Sequence, residues 1–375
     1  MNPSKYHFTV NPFSEERHDF PMVGRSDNWK DIQRTLTNHC DISSHGIMTI
    51  FGAYGIGKTF TLKCLEREIN NKPDFVKPKG KVLAIFLKIV ETKIPSQYLS
   101  NLLTRIIKNI GKENLLQLVN ANSLEEIQFN TPMGNVLQNL EQPEAWKWLT
   151  AKSITPSEMK SIGADYKITD PDESLSLFED FLLVLKSANY SNLVLLLDEL
   201  EYLMAKGGRE KILQTVHEIQ LLWDHYNELE PTERQKICNV VFVLACSVDS
   251  WQKFLDMAEK EHKRTGGAGT ETFLRRVKGK ITLNPLNTPQ VKQFFIQRLD
   301  AYRDQKTGKI EPFEDDYVKF LSEVSSGIPS KILNYSELIL DEALKAKLTT
   351  IDRQFGEKVL LEHGLLEEFE EVIST

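Results

Sequence analysis

Five short apolar runs punctuate the first 285 residues of this chain. They are Ile47-Met48-Thr49-Ile50-Phe51, Val82-Leu83-Ala84-Ile85-Phe86-Leu87, Leu193-Val194-Leu195-Leu196-Leu197, Val240-Val241-Phe242-Val243-Leu244-Ala245 and the brief Ile281-Thr282-Leu283. Runs with no polar alternation are what strands buried on both faces require. Between them the apolar spacing changes to three and four. Leu62, Leu65 and Ile69 form one such stripe, and Leu99, Leu102, Leu103, Ile106 and Ile107 form another within 95–110. Residues 173–187 and 210–228 continue the helical pattern, the second through Ile212, Leu213, Val216, Ile219, Leu222 and Trp223. Strands alternating with helices predict an α/β fold, a doubly wound parallel five-stranded sheet. After Asn284-Pro285 the pattern is helical only, at about 288–303, 314–325, 329–346 and 351–365. The expected organisation is an arm over 1–30, broken by Pro3, Pro12 and Pro21, with a first helix starting near Asn28. A sheet core follows over 31–286 with a helical insertion at 95–190, then a small all-α lid over 287–375.

The turn after the first run reads Gly52-Ala53-Tyr54-Gly55-Ile56-Gly57-Lys58-Thr59, followed by Phe60. This is G-x-x-x-x-G-K-T between a strand and a helix, the setting a phosphate-binding loop needs. Its glycines let backbone N–H groups face phosphate oxygens, and the helix behind points its positive end at the anion. Lys58 would reach the β/γ-phosphates, and the Thr59 hydroxyl would ligate Mg²⁺. The third run ends in Asp198-Glu199. Acids at the carboxyl end of a parallel strand stand where ligands bind in such sheets. Asp198 is expected to hold the metal and Glu199 to polarise an attacking water, with Glu201 a lesser candidate. The fourth strand should lie between the first and third. Ser247 at its tip would then meet the γ-phosphate, or else tie down a turn.

Composition narrows the partners. The chain has 375 residues with a net charge of −7, so any nucleic-acid contact must be local or made by a partner protein. One basic stretch spans 258–280 and holds Lys260, His262, Lys263, Arg264, Arg275, Arg276, Lys278 and Lys280 around the joint Gly266-Gly267-Ala268-Gly269. It reads as a solvated loop, a non-specific DNA contact, or the carrier of an arginine finger in Arg275 or Arg276. In the lid, Ser326-Gly327-Ile328-Pro329-Ser330-Lys331 opens a helix that would bring Lys331 over a nucleotide. The four cysteines have no metal spacing, and Cys246 has no neighbouring base to make it a nucleophile. No apolar run approaches 18 residues, and the expected setting is cytoplasmic, without a membrane partner.

Together these residues resemble the AAA+ superfamily, nearest its initiator clade of origin-recognition and helicase-loader ATPases, over nearly the whole chain. Met22-Val23-Gly24-Arg25 stands where that family carries a hydrophobic–hydrophobic–Gly–Arg box lining the adenine pocket. The loop at 52–59 matches Walker A, Asp198-Glu199 matches Walker B and Ser247 matches sensor 1. Phe273-Leu274-Arg275-Arg276 precedes the fifth strand as finger arginines do. The resemblance implies ATP and Mg²⁺ as ligands, a homo-oligomer, and a partner effector protein. One departure stands out: Gly327-Ile328-Pro329-Ser330 lacks the arginine of the family's Gly-x-Pro-Arg, and Lys331 follows one place later. The insertion (Trp148–Lys152, Ile162-Gly163-Ala164, Tyr190–Leu193) is similar to ATP-binding proteins of bacterial phage-exclusion (BREX-type) defence islands. The acidic tail Glu367-Glu368-Phe369-Glu370-Glu371 gives no basic DNA-reading module. The rival readings are a structural ATP-binding module with little turnover and a STAND-type signalling NTPase.

Overall fold

A computed structural model describes residues 6, 8, 10–14, 22, 24–41, 46–76, 80–89, 98–120, 131–170, 172–201, 219–226, 228–265 and 275–366. Val23, Ile212, Leu213, Val216, the glycine joint 266–269, Phe273, Leu274 and the acidic tail 367–371 lie outside them.

The five apolar runs are strands: β1 (Gly46–Phe51), β2 (Lys81–Lys88), β3 (Tyr190–Asp198), β4 (Asn239–Cys246) and β5 (Val277–Thr282). They form one parallel sheet in the order β2-β3-β4-β1-β5. Burial tracks this order. β1 and β4 are buried at every residue, and so is β3 from Asn192 onward. The edge strand β5 alternates buried and exposed residues, so Lys278, Gly279 and Lys280 belong to it. That alternation hides its first half from a search for continuous apolar runs. β4 lies between β1 and β3, as the sequence predicts.

The chain divides into two compact units. A sheet unit comprises Asp31–Phe51 and Leu65–Ile281, and an arm–loop–lid unit comprises Met1–Lys30, Gly52–Cys64 and Thr282–Thr375. In the sheet unit, helices Tyr98–Ile110 and Ser174–Ser187 bury their apolar faces in one core with the strands. The insertion between them is itself helical: Lys112–Asn120, Pro132–Gln138, Pro143–Leu149 and Pro156–Ser161. Its anchor is Trp148, 1% exposed, whose indole N–H donates to the Tyr166 carbonyl at 2.7 Å. The basic stretch is more ordered than a solvated loop over its described part. Helix Val248–Thr265 runs into it and β5 closes it.

In the arm–loop–lid unit, helices Thr288–Tyr302, Asp315–Val324, Pro329–Lys345 and Arg353–Glu362 form the lid. An aromatic cluster of Phe13, Phe295, Phe313 and Tyr317 centres its core. Phe13 comes from the arm and is fully buried. Around it Arg298 donates to the carbonyls of Pro12 and Ser14, and the Tyr6 hydroxyl donates to that of Leu348 at 2.7 Å. The arm is therefore a structural part of the lid bundle, a role its prolines do not announce.

Candidate phosphate loop and catalytic edge

The phosphate loop begins one residue after β1 and ends in the first turn of helix Lys58–Asn71. Ile56 is buried while Ala53 and Tyr54 face outward, Tyr54 with 94% of its surface exposed. Lys58 turns its ammonium back over the loop and donates to the carbonyls of Gly52 at 3.0 Å and Ala53 at 3.3 Å. Thr59 sits half-buried behind it, and Phe60 packs on the lid core.

The lid helix Pro329–Lys345 starts against this loop. The Ser330 backbone N–H donates to the Gly55 carbonyl at 3.1 Å, so the loop satisfies one of the helix's free N-terminal donors. The close approach and the left-handed backbone together favour glycine at position 55. A methyl group there would sit 2.0 Å from the Ser330 hydroxyl oxygen, and φ is +74°. Lys331, the expected lid cation, is exposed. The turn before the helix is fixed by the Leu286 N–H, which donates to the Gly327 carbonyl at 2.8 Å.

Arg25 reaches the same loop from the arm. It is 7% exposed, and one terminal nitrogen donates to the Asn284 carbonyl at 3.1 Å. Burial pulls its pKa down to about 10, which leaves it charged at neutral pH. Gly24 lies beside it against Leu286 and Gln290.

The expected acids stand on the carboxyl edge of the sheet unit. Phe51, the last residue of β1, is opposite Cys246, the last of β4. Lys88, the last of β2, is opposite Asp198, the last of β3. Asp198 is 2% exposed. Glu199 leaves the strand with φ of +62°, a left-handed turn that is uncommon for a side-chain-bearing residue. Its carboxylate accepts from the Lys88 ammonium at 2.7 Å, a bond that raises the Lys88 pKa. Sequence reading missed Lys88, which lies 111 positions away from Glu199. A lysine ending a strand next to the acidic strand is the signal that could have found it.

Ser247 has a local partner. Its hydroxyl oxygen accepts from the Ser250 N–H at 3.1 Å and lies 2.8 Å from the Ser250 hydroxyl, so it caps helix Val248–Thr265. The two candidate finger arginines separate clearly. Arg276 pairs with Asp224 and lies over the Trp223 ring at 5.4 Å, whereas Arg275 is exposed.

No protein-family model and no curated protein sequence matches this chain. Solved structures do. The ORC2 protein of Aeropyrum pernix, in ADPNP and ADP complexes, is similar over 95% of this chain and 72% of that one. The identity is 14% and the TM-score 0.56. The ORC1 protein of the same organism, in complex with DNA, is similar over 95% of this chain and 70% of that one, at 12% identity and a TM-score of 0.52. Similarity at such low identity is a likeness of fold. The chain thus has the architecture of these ORC proteins, a five-stranded parallel phosphate-loop sheet with a helical insertion and an all-α lid.

Proposed function

We propose that this chain is a Mg²⁺-dependent ATP hydrolase of AAA+ type, working as an oligomerising conformational switch in a multi-protein, DNA-associated assembly. One observation carries the switch reading: the entry of the lid helix is hydrogen-bonded to the glycine loop itself, Ser330 to Gly55 at 3.1 Å. A ligand that reshapes this loop must reposition or break a lid contact. The residues fit the ligand, because the loop has glycine where the backbone turns left-handed and a lysine ammonium folded over it.

Bound Mg²⁺–ATP would supply an activated phosphoryl group and a metal that offsets its charge. Lys58 would exchange its loop carbonyls for phosphate oxygens. Thr59 and Asp198 would hold the metal. Among the described residues no cluster of three His, Cys, Asp or Glu side chains could hold a metal ion, so phosphate oxygens would complete the set. Glu199 would accept the proton of the attacking water once its carboxylate leaves Lys88. Ser247 would orient that water, at the expense of its cap. Arg275, exposed just before β5, is our finger toward a neighbouring copy, and residues 258–280 our local DNA contact. Service in an anti-phage assembly rests on the insertion's resemblance alone.

A second reading has its own observation. The Lys88–Glu199 ion pair holds the expected base in a resting position, as a low-turnover binding module would. Phosphate release by the Lys88→Met variant separates the two: faster release makes the pair a brake on an enzyme. The switch itself is tested by mass in solution, with and without a non-hydrolysable ATP analogue. An ATP-dependent increase that Lys58→Ala abolishes supports it, and an unchanged mass with normal hydrolysis removes it.

A further inference from the structure

β2 is an edge strand, and the peptide groups on its outer side need partners from outside the sheet. Side chains of two helices supply them. From helix Lys58–Asn71, Asn70 accepts from the Ala84 N–H and donates to the Ala84 carbonyl, each at 2.9 Å, and Glu66 accepts from the Phe86 N–H at 2.8 Å. From helix Tyr98–Ile110, Asn109 donates to the Phe86 carbonyl at 3.2 Å and Arg105 donates to the Lys88 carbonyl. Arg105 and Asn109 are four residues apart and share one helix face, while Leu102, Leu103, Ile106 and Ile107 go to the core.

Arg105 does more than close an edge. The Lys88 carbonyl that it holds and the Ile89 N–H belong to one peptide unit, and that N–H donates to the Asp198 carbonyl at 2.8 Å. The Asp198 carbonyl in turn belongs to the peptide that joins Asp198 to Glu199, where the chain turns left-handed. A guanidinium on a peptide's oxygen strengthens the donor at its nitrogen, because hydrogen bonds in series polarise one another. Arg105 is half-buried, and burial lowers its pKa, with Tyr98 opposing. Arginine keeps its proton in a protein, so the polarisation persists. Asn109 makes a neutral contact one step earlier, since Phe86 stands opposite Leu196, two residues before Asp198.

We propose that Arg105 is a positioning residue for the two acids at the end of β3, acting through the Lys88–Ile89 peptide on the Asp198–Glu199 peptide. This rests on the reading of Asp198 as the metal holder and Glu199 as the proton acceptor. The bond from Arg105 goes to backbone, whereas the Lys88 ammonium engages the Glu199 carboxylate directly. The helix that opens the insertion thereby sets the geometry of both acids. When Tyr98–Ile110 shifts, their shared peptide loses its anchor, and turnover answers to the insertion.

The test is steady-state phosphate release against Mg–ATP concentration, with a thermal melt on the same preparations of the full chain. The variants are Arg105→Met, Arg105→Lys, Asn109→Ala and Glu199→Gln. Arg105→Met keeps much of the volume and removes the donor. Its kcat should fall about 10- to 100-fold, as small displacements of reacting groups cause, while KM stays within about twofold. Arg105→Lys, still a cationic donor, should keep more turnover than Arg105→Met. Asn109→Ala loosens the same strand edge without touching the Lys88–Ile89 peptide, so its kcat should stay near the natural value. A merely structural Arg105 would lower the melting temperature and leave the kcat of the folded protein alone. An unchanged kcat in Arg105→Met, a KM that rises as far as kcat falls, or an equal fall of kcat in Asn109→Ala overturns the proposal. If Arg105→Met does not fold, a reduced kcat in Arg105→Lys at unchanged melting temperature supports the proposal, and an unchanged kcat overturns it. If the natural protein releases no phosphate from Mg–ATP, the hydrolytic reading fails and takes this proposal with it. If it does, Glu199→Gln does not, and Arg105→Met releases phosphate normally, the role of Arg105 alone fails.

Discussion

The sheet unit and the arm–loop–lid unit hold an arginine in different ways, half-buried against an acid in one and buried against a carbonyl in the other. In the sheet unit, Arg276 pairs with the Asp224 carboxylate and lies over the Trp223 ring at 5.4 Å. In the arm–loop–lid unit, Arg25 is 7% exposed and among the described residues meets a carbonyl and the edge of a glycine loop. The first arrangement supplies a counter-charge and a π face, although the guanidinium's other terminal nitrogen has no hydrogen-bond partner among the described residues. Neutral carbonyls also receive the buried Arg298 of the arm–loop–lid unit, which donates to Pro12 and Ser14, so the two units differ in whether an arginine meets an acid or the backbone. The sheet unit also shows the alternative open to an acid. Asp180 is 7% exposed and has one carboxylate oxygen without a hydrogen-bond partner among the described residues. Burial pushes its pKa up to about 6, with the nearby Glu179 adding to the rise and a Thr131 hydrogen bond opposing it. An aspartate can escape its burial by taking a proton, and an arginine cannot.

Four variants sharpen or break this contrast. Replacing Arg275 with Ala should have the largest effect. A finger arginine is worth about 10³-fold or more in turnover, so phosphate release should collapse while ATP binding stays intact. Loss of binding instead would remove Arg275 from that role. Lys58→Ala should weaken Mg–ATP binding by about 100-fold or more, as the loss of a charge-assisted phosphate contact does. Titration calorimetry reads it directly. Arg276→Ala should cost about 2 kcal/mol in urea denaturation, from the lost pair and ring contact, with ATP affinity unchanged. If it instead spared stability and reduced ATP affinity, the Asp224 pair would not be a structural one.

Asp180→Asn should give the smallest effect and the only one that depends on pH. The folded-state pKa of Asp180 is raised, from 3.8 to about 6, so the folded chain binds more protons than the unfolded chain across that window. Stability contributed by the protonated group is present below about pH 4 and is lost as pH rises through about 6. The Asn variant should therefore be more stable than the natural protein at pH 7–8, by about 1–2 kcal/mol. At pH 4 that gain should vanish. An equal gain at both pH values would mean that the carboxylate's charge is not the cause.

The fold was legible wherever burial on both faces leaves a continuous apolar run, as in β1, β3 and β4. It was half legible in β5, whose edge position imposes alternation and admits Lys278 and Lys280. The glycine turn after β1 and the acids that end β3 stand out as candidates because each motif is local in sequence. Lys88 does not, since only strand register carries it to Glu199. Arg275 and Arg276 are indistinguishable as letters, and their different surroundings come from Trp223 and Asp224 more than fifty residues earlier. Phe13 was invisible for the same reason: a single aromatic in a proline-broken arm has no periodicity, and the lid supplies its core.

Substituting Glu199 with Gln tests the proposed ATP hydrolysis most directly. The change removes the proposed proton acceptor and keeps the side chain's shape. Steady-state phosphate release and Mg–ATP binding are measured on the same preparation. The account predicts release reduced about 10²- to 10³-fold with ATP binding retained. Phosphate release at the natural rate in the Glu199→Gln variant would contradict it.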